Sequence, residues 1–149
     1  MNSVRKFEIV SRCKGIEVKL PKRKTKKSAG YDFFAIEDVD LYPNKLYVLP
    51  TGIKVQMEED EVLYLHIRSS AAFKRGVRMI NSIGVIDSDF YNNESNEGEI
   101  SLGLLSHNDD VVHIKKGECV AQGVFHKFLI VDDDDADGKR TGGIGSTGK

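Results

Sequence analysis

Little in this sequence suggests a stapled, secreted or membrane-embedded protein. Its 149 residues include only two cysteines, Cys13 and Cys119, far apart and without a second Cys or a His at ligand spacing. That excludes a disulfide framework and offers no zinc site, so the thiols are read as reduced. The N-terminal stretch MNSVRKFEIVSRCKGIEV lacks the long apolar segment of a signal peptide, and nowhere do about 18 apolar residues run together. A cytosolic, cytoplasmic protein with no membrane association is expected. An excess of one charge is missing too: 22 Lys and Arg stand against 23 Asp and Glu, a net charge of -1. Without a global basic field, stable nucleic-acid binding is not expected. No internal repeat and no dividing linker are visible, so one domain is expected.

What is present is strand punctuation. Apolar or alternating segments of four to eight residues break at Gly, Pro, Asn or Asp. The expected strands are Phe7 to Val10, Ile16 to Leu20, Tyr31 to Ile36, Leu46 to Leu49, Ile53 to Met57, Val62 to Ile67, Val77 to Ile80, Ile83 to Ile86, Ile100 to Leu105, Val111 to Ile114 and Val120 to Val131. Only Ser69 to Arg75 reads as helix, with Ser as its cap. The class is all-β: a sandwich, jelly roll or barrel. A chain of this length removes roughly two-thirds of its unfolded surface from water, enough for a core without staples.

Four stretches are biased. Lys19 to Lys27 is a basic loop, read as solvated or steering an anionic ligand. Asn92 to Glu99 is polar and turn-rich, the tip of a hairpin. Asp132 to Asp135 is a solvated acidic hinge. Lys139 to Lys149, KRTGGIGSTGK, has almost nothing to bury; it is either a disordered tail or an arm whose glycine amides, Ser146, Thr147 and Arg140 close over a polyphosphate. The domain reading is therefore a β core over 1–131 and a hinge with a glycine-rich arm over 132–149. The histidines His66, His107, His113 and His126 lack mutual ligand spacing and are assigned structural or surface roles, and Cys119 is expected to face the core.

The stretch Asn81 to Tyr91, NSIGVIDSDFY, sets an apolar run against Asp87 and Asp89. A packed strand that ends in an Asp holds a carboxylate where a general base is useful, although the same residues could merely open a turn. Beside it stand AGYDFFA (Ala29 to Ala35), RSSAAFKRG (Arg68 to Gly76), GECVAQ (Gly117 to Gln122) and TGGIGSTG in the tail. In this order and spacing the segments resemble the motifs of the homotrimeric dUTPase family, of bacterial or phage type.

The resemblance implies a jelly-roll-like subunit, three copies of which share active sites that hydrolyse dUTP to dUMP and pyrophosphate with Mg²⁺, limiting uracil in DNA and supplying dUMP for thymidylate synthesis. It further implies that the C-terminal arm closes a neighbouring subunit's site. Asp87 would be the catalytic residue that activates water. Arg68, Ser69, Ser70, Gln122, Arg140, Gly145, Ser146 and Thr147 would contact phosphates. Asn81, Gly84, Val85, Ile86, Phe90 and Ile144 would hold uracil and deoxyribose, with Tyr91 a substitute for Phe90 in a shifted register. Mg²⁺ would be held mainly by substrate phosphates and water, with Asp32 organising Arg68 and serving as a candidate for the metal's water shell. Phe90 and Ile144 depart from the family's usual Tyr and Phe. Two rivals stand beside this reading. Deamination of dCTP by a related enzyme is disfavoured because Gly103 occupies the position of the required Glu. A regulatory protein partner would engage the tip Asn92 to Glu97.

Overall fold

The structure, a computed structural model, describes residues 4–145. It is built from eleven short strands and one helix. In chain order the strands are β1 (Lys6–Ile9), β2 (Tyr31–Phe34), β3 (Val39–Leu41), β4 (Tyr47–Pro50), β5 (Ile53–Gln56) and β6 (Glu61–Ile67), then β7 (Val77–Met79), β8 (Gly84–Asp87), β9 (Ser101–Ser106), β10 (Val112–Ile114) and β11 (Cys119–Lys127). The helix α1 (Ser69–Arg75) follows β6. Every strand pairing is antiparallel. A four-stranded sheet runs β2-β11-β6-β8 and a three-stranded sheet β4-β9-β7, flanked by the pairs β1-β5 and β10-β3.

Alternation explains the core. On β9 the even-numbered residues Leu102, Leu104 and Ser106 are buried while Ser101, Gly103 and Leu105 are only partly covered. Leu63 and Leu65 of β6, Phe33 of β2 and Leu49 of β4 meet them in one cluster. Phe7, Tyr31, Phe33 and Phe125 tie β1, β2 and β11 together, with ring centroids 5.4 to 5.8 Å apart.

The structure departs from the sequence-based expectations at four places. Ile16 to Leu20 forms no strand; Ile16 and Leu20 are exposed, and only Val18 packs against the core. Val39–Leu41 is a strand that went unexpected, a three-residue element too short to show a period. The last strand ends at Lys127 rather than Val131. Helix α1 spans the expected residues, but its cap is the extended Arg68, without a side-chain cap bond. The helix stops at Gly76, whose left-handed conformation (φ 68°) lets its N–H donate to Ala71 and Ala72 carbonyls.

Two turn-rich segments, one of them the expected hairpin tip, are crossovers. β7 belongs to the three-stranded sheet and β8 to the four-stranded one, so Asn81 to Ile83 carries the chain from one sheet to the other. The segment Asn92 to Glu99 carries it back to β9. That second crossover is folded from within, because buried Asn93 donates through Nδ2 to Phe90 O (2.8 Å) and accepts at Oδ1 from the Ser95 and Asn96 amides. Among the described residues no helix is long and apolar enough to cross a membrane.

Candidate active site

At the first crossover, where β8 meets β4, β7 and β9, lies a cavity of about 440 Å³, within the range of small-molecule sites. Asn81, Gly84, Val85, Ile86, Asp87 and Phe90 line it. The first turn is tight: Ser82 takes φ 64°, its N–H donates to Met79 O (3.0 Å), and Ile83 N–H donates to Asn81 O (2.7 Å). Gly84 has no side chain because Leu65 is already there; a Cβ would lie 3.1 Å from Leu65 Cβ. Leu46, Val48, Met79, Ile80 and Gly103 complete the apolar wall. Sequence reasoning did not assign these five residues to the site, since their contribution arises only where two sheets meet. At Gly103 a Cβ would stand 2.8 Å from Ile80 Cγ2, so the place of a deaminase-type Glu is occupied.

Asp87 ends β8, paired across from Val62, with its side chain about half exposed at the cavity. Phe90 is buried, 7% exposed, in the 3-10 turn Ser88–Phe90, and lines the cavity. Tyr91 does not line the cavity. Its hydroxyl donates to Glu8 on β1, and the Lys54 ammonium lies 5.2 Å from its ring centre, so it serves the opposite side of the turn. That hydrogen bond raises the Tyr91 pKa and lowers that of Glu8.

The arm reaches the same cavity. Arg140, Gly143, Ile144 and Gly145 line it from the arm side. The Arg140 guanidinium, side chain 10% exposed, donates through Nη2 to Asp87 Oδ2 (2.7 Å) and through Nε to Asp89 Oδ1 (2.7 Å). Its carbon lies 5.7 Å from the Phe90 ring centre. Ile144 is 77% exposed at the rim. Thus in the single chain residues 140–145 rest on their own chain's crossover. Ser146 and Thr147 lie outside the described residues.

A second cluster sits elsewhere. Asp32 on β2 pairs with Gln122 on β11, which pairs in turn with His66 on β6. A β-bulge between Cys119 and Ala121 sends both Val120 and Ala121 into the core and leaves Cys119 and Gln122 outward. The Val120 carbonyl accepts the Arg68 N–H at 3.1 Å, which ties the start of α1, with exposed Ser69 and Ser70, to this row. Gly30 makes room for the amide of Gln122: a Cβ there would stand 2.3 Å from Gln122 Oε1. Two further expectations need correction. Asp32 and Arg68 form no ion pair among the described contacts; both act on the Cys119 sulfur between them. Cys119 is half-buried rather than core-facing, and burial, with Asp32 adding and Arg68 opposing, pushes its thiol up to about 11. It is therefore a protonated, inert thiol at neutral pH.

The two clusters lie toward opposite ends of β6. Asp87 stands beside Val62 and Arg68 lies six positions further on, a separation of about 20 Å at strand rise. One chain does not bring its carboxylate and its Arg68 row to a common ligand. Among the described residues no three His, Cys, Asp or Glu side chains form a metal cage. A lone Asp32 beside Gln122 suits a cation that keeps its water and takes its other oxygens from a bound phosphate, the usual habit of Mg²⁺.

A family model described as dUTPase matches residues 16–148. The deoxyuridine 5'-triphosphate nucleotidohydrolase of Lactococcus lactis is 48% identical over 97% of this chain and 98% of its own length. That of Nautilia profundicola is 36% identical over 89% and 93%. The crystal structure of dUTPase from Streptococcus mutans superposes with a TM-score of 0.79 at 42% identity, covering 85% of this chain and 98% of its own.

Proposed function

The chain belongs to the dUTPase family and is a dUTP nucleotidohydrolase, and we propose that it works as a trimer in which Asp87 of one subunit and the Arg68 row of another serve the same dUTP. The observation that carries this reading is the separation of about 20 Å between the two clusters along β6. Uracil and deoxyribose occupy the cavity at the first crossover, the base against Asn81, Gly84, Val85 and Ile86 and the sugar against Phe90. Such a snug apolar wall leaves no space for thymine's methyl group, and backbone groups matched to uracil's edge meet the wrong partners on cytosine. Phe90 retains stacking on the sugar but donates no phenolic hydrogen bond.

Asp87 orients a water for in-line attack on the α-phosphorus and takes its proton, with pyrophosphate as the leaving group. Its half-exposed carboxylate suits that task, since the attacking water reaches it from solvent. Arg68, Ser69, Ser70 and Gln122 receive the triphosphate of a substrate whose base sits in the neighbouring subunit, and Asp32 faces the water shell of the cation. Mg²⁺, when bound, neutralises the phosphate charge. The arm, with Arg140 and Gly145 and extended by Ser146 and Thr147, closes a neighbouring subunit's site. Support for the crossing comes from Phe128 to Val131, an apolar strap 41 to 96% exposed in the single chain, which gains cover on a second copy.

A panel of dUTP, dCTP, dTTP and UTP with Mg²⁺ tests the reading. Pyrophosphate should be released from dUTP alone, and Asp87→Asn should reduce kcat by about 100-fold or more. Intact dUTP after incubation with the purified trimer would overturn it.

A further inference from the structure

Lys22 has no part in the site described so far, yet it stands in register with Asp32 and Gln122. We propose that Lys22 is a further substrate-binding residue, the cation that meets the outer phosphates of dUTP. This role rests on the reading of the Arg68 row as the seat of the triphosphate. Lys22 forms an antiparallel bridge with Asp32, whose N–H donates to the Lys22 carbonyl at 2.8 Å. Asp32 pairs in turn with Gln122, and Gln122 with His66. Residues directly opposite each other on antiparallel strands carry their side chains on one face. Phe33 and Ala121, the chain neighbours of Asp32 and Gln122, pair with each other and are buried on the opposite face. Lys22, Asp32, Gln122 and His66 therefore stand in single file on the outer face of the sheet. Adjacent backbones lie about 4.8 Å apart, a gap that the four-carbon stem of a lysine spans.

Charge gives this file its need for a cation. Arg68 and Asp32 cancel, while the substrate brings several negative charges that are densest at its outer phosphates. Mg²⁺, when bound, offsets part of that charge. Lys22 is exposed and, among the described residues, forms no salt bridge, whereas Lys6, Lys54 and Lys127 are each paired with a carboxylate. The loop that carries Lys22 is folded from within. Pro21 is buried, Arg23 donates through Nη1 to the Lys26 and Ser28 carbonyls (2.8 and 3.1 Å), and the Thr25 N–H donates to Ser28 Oγ at 3.2 Å. The Arg23 guanidinium thus serves its own loop. At the far end of that loop Gly30 admits the Gln122 amide, so the loop meets the same row at both ends. Lys19 is engaged elsewhere, its ammonium 5.5 Å from the Phe34 ring centre. Lys24 shares the exposed loop but lies outside the register.

The test uses the purified full-length protein with Mg²⁺ and, as probe, a dUTP analogue whose α- and β-phosphorus are joined by an imido bridge that resists hydrolysis. Binding is read by calorimetry, so no turnover is needed. Lys22→Gln should raise the Kd of the analogue by about fivefold and leave unchanged that of dUMP, which lacks the outer phosphates. Lys22→Arg should restore most of the loss, and Lys24→Gln, which removes the same charge from the same loop, should raise the Kd by less than about twofold. An unchanged Kd in Lys22→Gln would overturn the proposal. So would an equal rise in Lys24→Gln, which would leave only a diffuse field of the loop, or an equal rise in the Kd of dUMP. Arg68→Ala separates the two readings. If it weakens the analogue while Lys22→Gln does not, the role of Lys22 alone fails; if neither weakens it, the row is not the seat of the triphosphate and both fail.

Discussion

Gln122 owes its place to a side chain that is missing elsewhere. Its amide fills the space where a Cβ of Gly30 would be, and the bulge at Val120 turns it outward beside Asp32. Neither partner is reactive, yet both decide where the amide proposed to bind phosphate points. Gly30→Ala should therefore displace Gln122 while the strands keep their pairing. The expected outcome is a KM for dUTP raised by about tenfold with little change in thermal midpoint, checked by steady-state kinetics beside a melting curve. A midpoint lowered by many degrees would show that the methyl breaks the sheet instead. At this scale the motif residues were legible as types in order: Asp87 lines the cavity, and Asp32, Gln122 and the Arg68 backbone share one row. The partner of Arg140 was not legible, because two carboxylates and an arm 50 residues later meet only through the fold.

Among the elements, β1 is held by its pairing with β5, by Phe7 and, at its start, by a buried carboxylate. Arg5, just before the strand, donates through Nε to Glu61 Oε2 at 2.8 Å, and Glu61, 3% exposed at the start of β6, also accepts the Glu58 N–H at 2.9 Å. The Arg5 hydrogen bond is the main cause holding the Glu61 pKa below the ordinary glutamate value of 4.5, against the opposing effect of burial. A carboxyl whose folded value is depressed contributes stability above its unfolded value and loses it as pH falls through the folded one. Hydrogen exchange should thus show β1 amides losing protection below about pH 4.5 before those of β6 and β11. Arg5→Ala should loosen β1 already at neutral pH, and uniform protection across the sheets under acid would refute this. Ten of the expected strands exist because alternation and turn residues report one-sided burial. Ile16 to Leu20 carries the same alternation without a partner to pair with, and pairing is a tertiary fact. The same limit explains why Asn92 to Glu99 resembled a hairpin tip: turn chemistry shows where a chain bends, not which sheet it enters.

For the whole molecule, the proposed reading makes the site a property of the assembly. If Asp87 and the Arg68 row serve one substrate from different subunits, two separately inactive chains should repair each other. Asp87→Asn chains and Arg68→Ala chains, unfolded together and allowed to reassemble, should regain a substantial fraction of wild-type turnover, while either alone stays inactive. Absence of recovery in verified mixed trimers would place both clusters at one chain's own site. The strap at 128–131 bears on the same question from the side of assembly. A free chain carries Phe128, Leu129, Ile130 and Val131 in the open, a short, uncharged, β-prone stretch of the kind that seeds aggregates. The four aspartates that follow directly at 132–135 place a block of negative charge beside it, so stacking these stretches in register would crowd like charges together. On the proposed trimer reading, this acidic block would act as a gatekeeper during synthesis, keeping the sticky strap soluble until a second copy covers it.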